Sequence, residues 1–87
     1  MELSEKRKLL FTQLIVMFHA ATMQQLGKVK HPVTDKCEKD LEAAENTIDI
    51  LDMLQAKTKG NLAQDEDMLL TQILQELKIT FVQEKRS

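Results

Sequence analysis

Residues 40–60, DLEAAENTIDILDMLQAKTKG, decide the fold. At about 100° per residue, Leu41, Ala44, Ile48 and Leu51 form one apolar seam and Ala43, Ile50 and Leu54 a second beside it, together about half a cylinder. On the opposite side Glu38, Glu42, Glu45, Asp49 and Asp52 follow one another at steps of 4, 3, 4 and 3, an unbroken acidic stripe. A helix is predicted. It starts near Asp40, whose carboxylate can accept from the free amides of the first turn, with Asp35 and Glu38 forming a capping box as the competing start. Gly60 closes it in the left-handed conformation, with Lys57 and Lys59 at the negative end of the helix dipole.

Working outward, Gly and Pro punctuate the chain at only two places, residues 27–32 (GKVKHP) and Lys59-Gly60-Asn61. Three apolar-periodic segments remain, rich in strong helix formers and without period-two alternation. The expected fold is all-α, with three helices at about 4–26, 40–59 and 64–84 in one domain spanning 1–87, a connecting loop at 27–39, and frayed ends at 1–3 and 85–87. In the third helix Leu69, Leu70, Ile73, Leu74, Leu77 and Phe81 share one arc, with Leu62 leading into it. Asp65, Glu66 and Asp67 place negative charge at its positive end, while Met68, Ile79 and Val82 lie on its reverse side.

The first helix, which contains LLFTQLIVMFHAATMQQLG (residues 9–27), does not confine its apolar residues to one side. Leu10, Phe11, Leu14, Ile15, Met17, Phe18, Ala21 and Leu26 cover about half its circumference, and Leu9, Val16, Ala20 and Met23 form a separate stripe across from them. A helix that is apolar on almost all sides is buried on almost all sides. Two other helices from an 87-residue chain cannot surround it. Self-association across a two-fold axis is the expected repair, with Leu9, Val16, Ala20 and Met23 in the interface and a dimer the expected assembly.

Composition narrows the functions. Twelve basic against fourteen acidic residues give a net charge of −2, no footprint for nucleic acid. Three Phe, no Trp and no Tyr leave little to stack bases or cage a cofactor ring. A chain this short buries only about 60–65% of its unfolded surface, so its own core is thin. The single Cys37 cannot form an intramolecular disulfide, and a free thiol fits the cytoplasm. Residues 9–27 carry no formal charge and follow Lys6-Arg7-Lys8, like the basic and apolar parts of an export signal, but Thr12, Gln13, His19, Thr22, Gln24 and Gln25 interrupt the run.

Residues 40–62, DLEAAENTIDILDMLQAKTKGNL, together with the run from Leu9 and the closing LLTQILQELKITFV (69–82), resemble the small bacterial family catalogued as domain of unknown function 1844. The most distinctive piece is Thr47-Ile48-Asp49-Ile50-Leu51, followed by Met53-Leu54-Gln55 and Lys57-Thr58-Lys59-Gly60-Asn61-Leu62. The resemblance covers 9–82, with a weak match over Lys28 and the loop to Lys39. It implies a cytoplasmic, helical, bacterial protein and carries no activity, substrate or catalytic residue with it. In that family a hydroxyl residue often stands where this chain has Ala63, ahead of Glu66, so the third helix lacks a cap here unless Asn61 or Asp65 supplies one.

No constellation for chemistry is legible. Carboxylates along one helix can bind metal, but di-iron bundles need Glu-x-x-His pairs, and neither His19 nor His31 has Glu three residues before it. The stripe Glu38, Glu42, Glu45, Asp49 and Asp52 reads as a solvated face or as a docking surface for a basic protein partner. His31 and Cys37 lack the remaining ligands of a zinc site, and Cys37 has no evident base. His19 reads as a buried polar residue satisfied by a neighbouring helix or its mate. Lys57-Thr58-Lys59-Gly60-Asn61 ends a helix rather than beginning one, the wrong dipole sign for a phosphate site. The five Met are expected to fill gaps in the core. No catalytic, cofactor or metal residue is therefore assigned, and no enzyme is expected. The expected function is a homo-oligomeric interaction or structural module of the cytoplasm. A peripheral membrane protein anchored by the first helix is the alternative, and an enzyme or metal-binding protein comes last.

Overall fold

The computed structural model describes residues 2–86 as three helices, α1 (Leu3–Gln25), α2 (Leu41–Thr58) and α3 (Gln64–Arg86). The middle helix starts where its cap allows: Asp40 Oδ1 accepts from the Ala43 N–H at 3.1 Å, which decides for Asp40 over Asp35. It ends at Thr58, and Gly60, two residues on, has a φ of +87°, the left-handed conformation expected of it. The outer helices run nearer the ends of the chain than the sequence predicts. Of the expected frayed ends, Leu3, Lys85 and Arg86 are helical, Glu2 is the extended residue that precedes α1, and Met1 and Ser87 lie outside the described residues.

Helix α1 closes in a Schellman motif. The Gly27 N–H donates to the Gln24 carbonyl and the Lys28 N–H to the Met23 carbonyl, both at 2.9 Å, with Gly27 at φ +76°. This turn drops Leu26 into the core, fully buried, and starts the return of the chain. Leu26 and Lys39 then face each other in an isolated antiparallel bridge, and the Asp40 N–H donates to the Gln25 carbonyl at 2.7 Å. The loop of residues 27–39 therefore leaves and re-enters at one point.

The helices run up, down and up. Lys8 pairs with Asp65, His19 meets Glu76, and Lys28 pairs with Glu84, so α1 and α3 are parallel. Asp52 pairs with Lys78 and Gln55 Nε2 donates to Thr71 Oγ1, so α2 lies antiparallel between them in direction. Their shared core is small: Ile15 and Leu26 from the α1 side, Ala44, Ile48 and Leu51 from α2, and Leu70, Leu74 and Leu77 from α3. The seams predicted for α2 and α3 supply most of it. Two threonines join it with their hydroxyls satisfied. Thr22 donates to the Phe18 carbonyl at 2.7 Å and Thr47 to Gln25 Oε1 at 2.8 Å.

Candidate functional site

The surface that stands out is the outward side of α1. Leu9, Leu10, Leu14, Val16 and Met17 are between 37% and 67% exposed, spread over more than two turns of helix. Gln25, which accepts from Thr47, marks the flank of α1 that faces α2; His19, 3.4 Å from Glu76, marks the flank that faces α3. At about 100° per residue Leu10, Leu14, Met17 and Ala21 lie outward of the first flank, and Leu9, Val16 and Ala20 outward of the second. Leu14, Met17, Phe18 and Ala21 line a shallow apolar hollow of about 180 Å³.

Three of the four residues expected in an interface, Leu9, Val16 and Ala20, are exposed. Met23 is not available to a partner in the same way: it is half-buried and packs against the chain's own core, because it lies close to the His19 flank that meets α3. The reverse correction applies to Leu10, Leu14 and Met17, grouped by sequence with the covered half. They lie about 100–160° around the helix from Ile15, the centre of burial, beyond the arc two neighbouring helices can cover. That angle was available in the sequence, and it is the signal that separates them from Phe11 and Phe18, which do pack on the core.

The acidic stripe is shorter than expected. Glu42, Glu45, Asp49 and Asp52 are exposed on α2, but Glu38 precedes the helix in the loop and does not continue the row. Asp52 is engaged by Lys78 Nζ at 3.3 Å, whereas Glu42, Glu45 and Asp49 enter no ion pair among the described residues. Asp40, Glu42, Glu45 and Asp49 rim an open depression at the start of α2.

Other singled-out residues serve the structure. His19 is only half-buried, and its partner is Glu76 of a neighbouring helix. His31 Nδ1 accepts from the Val33 N–H at 3.1 Å and stabilises the loop turn. Cys37 is an exposed free thiol. Met17, Met53 and Met68 are about half-exposed or more, so the expectation that the methionines fill the core fails for these three. Among the described residues there is no group of three or more His, Cys, Asp and Glu able to hold a metal, and no helix long and apolar enough to cross a membrane.

A charge cluster lies at each end of the bundle. Lys8 beside Asp65 holds that carboxyl below its usual range, and the Lys8 ammonium is raised in turn. Glu84, in the last turns of α3, accepts from Lys28 at 2.8 Å and Lys39 at 3.2 Å, and these two cations lower its pKa.

Residues 8–83 match the family described as Domain of unknown function (DUF1844). The chain belongs to that family. The match takes in all of α2, nearly all of α3 and α1 from Lys8 onward, so the exposed apolar side of α1 lies within the family's domain. No curated protein and no solved structure matches the chain.

Proposed function

We propose that this protein is a cytoplasmic association module that works as a homodimer, with α1 as the interface. The observation that carries this is the row of exposed Leu9, Leu10, Leu14, Val16 and Met17 on a helix that has no charged residue from Leu9 to Gln25. Size supports it. A compact monomer of 10.0 kDa exposes about 5,200 Å², whereas this chain exposes 6224 Å². The excess of roughly 1,000 Å² is comparable to the ~800 Å² that each partner buries in a standard interface. Its radius of gyration of 14.1 Å also exceeds the ~12 Å of a compact chain of this length, because the body is drawn out to 43 Å along its longest axis and is only 16 Å thick. A second copy laid on α1 thickens the body and covers the apolar row.

Sedimentation equilibrium at micromolar concentration tests the proposal. The expected result is twice the chain mass for the wild type and a folded monomer for Met17→Glu or Val16→Glu. A wild-type monomer overturns it. Flotation with anionic vesicles tests the membrane alternative, which the exposed Lys6 and Arg7 beside Leu9 and Leu10 favour; co-flotation of a wild-type monomer would establish that reading instead.

A further inference from the structure

Leu14, Met17, Phe18 and Ala21, which line the hollow of about 180 Å³ on α1, stand at positions i, i+3, i+4 and i+7 of one helix. Four residues so spaced make the hole that receives a single side chain of a facing helix in knobs-into-holes packing. Phe18, packed on the core, forms its floor; the exposed Leu14 and Met17 and the half-buried Ala21 form its walls. Ala21, whose side chain ends at Cβ, leaves the hollow open. All four lining side chains are apolar, so the hollow suits an apolar side chain and offers nothing to a polar ligand.

The same helix carries a matching knob. Leu10 is 51% exposed. At about 100° and 1.5 Å per residue it lies within about 30° of the direction in which the hollow opens, and about 11 Å before the hollow along the helix. The two ways of laying a second α1 on the first treat the hollow differently. Parallel pairing sets equal levels opposite each other, hollow against hollow and Ala21 against Ala21, and encloses a void of a kind that packed interfaces avoid. Antiparallel pairing about a two-fold axis near Leu14 carries Leu10 of each copy to the hollow of the other. We infer that the hollow is the socket for Leu10 of the second copy, and that the two α1 helices therefore run antiparallel. Two identical knob contacts then flank a crossing at Leu14. The stretch from Leu9 to Gln25 contains no Asp, Glu, Lys or Arg, so neither copy buries a charge along the contact. The inference rests on the dimer proposed above and adds its anchor residue, the receptor for it and the direction of pairing.

Exchanging the sizes of knob and socket separates this from the underlying dimer. Leu10→Ala removes the knob, and Ala21→Leu fills the socket from its own chain. Each alone is expected to raise the Kd of the dimer roughly tenfold by sedimentation equilibrium. Combined in one chain, the two changes restore the fit, and the double variant is expected to dimerise more tightly than either single one. Losses that arose within the monomer would instead add. Circular dichroism checks that each variant is folded. A second measurement reads the direction and leaves the socket intact: nitroxide labels on Lys6→Cys, in a background where the exposed Cys37 is replaced by Cys37→Ser. Antiparallel pairing about Leu14 sets the two labels roughly 20 Å or more apart, whereas parallel pairing sets them at one level, about 10 Å apart. Single variants that dimerise as the wild type does, a double variant that recovers nothing, or labels at one level overturn the Leu10 socket while the dimer stands. A wild-type monomer overturns the dimer itself.

Discussion

Ala63 occupies the N-cap of α3, where a side-chain acceptor normally serves the first-turn amides, and alanine has none. The chain keeps only one half of a capping box: Glu66 Oε1 reaches back to the Ala63 N–H at 2.9 Å, while the Glu66 N–H falls to Asp65 Oδ1 at 3.0 Å. Ala63→Ser supplies the missing half. It is expected to stabilise the fold by about 1 kcal/mol, read as a rise in Tm of about 4–8 °C for a domain of this size. Glu84 gives a second test at this scale. Lys28 and Lys39 lower its folded-state pKa beneath the ordinary 4.5. Its contribution to stability is therefore complete above that value and is lost as pH falls through the lower folded-state pKa. Denaturant melts of wild type and Glu84→Gln should differ at neutral pH and converge as the solution is acidified below the usual glutamate range.

At the scale of the element, α2 and α3 were legible from sequence because each has one apolar arc and one polar back. Asp40, Gly60 and the seam through Ala44, Ile48 and Leu51 fall where periodicity and capping put them. Helix α1 was legible as a helix but not in its orientation, since apolar side chains nearly all round it leave several rotations equally acceptable. What fixes its rotation is tertiary. Gln25, read from sequence as an interruption, accepts from Thr47 of α2, and Thr22, another, is fully buried with its hydroxyl on the Phe18 carbonyl one turn back in the same helix. Leu10, Leu14 and Met17 turn outward in consequence. A matched pair of truncations checks this rotation. Leu51→Ala, in the fully buried core, is expected to cost about 2–5 kcal/mol. Leu10→Ala, 51% exposed, is expected to leave the stability of the isolated chain nearly unchanged and to weaken only self-association, measured by sedimentation.

Among the described residues, three helices meet around eight fully or nearly buried apolar residues, and the two crossings between chain segments sit at opposite ends. One of these ends is the loop of residues 27–39, whose two shoulders, Lys28 and Lys39, are both held by the mostly covered Glu84. Between them Val33, Lys36 and Cys37 stand exposed, and Val33 is 85% so. Trypsin under native conditions is expected to cut first at Lys30 or Lys36, as mass spectrometry of the digest will report. The nicked protein should co-elute as one particle, its first helix still seated on the other two. Cleavage at this loop divides the chain into two complementary pieces, one carrying α1 and the other α2 and α3, held together by the core they share.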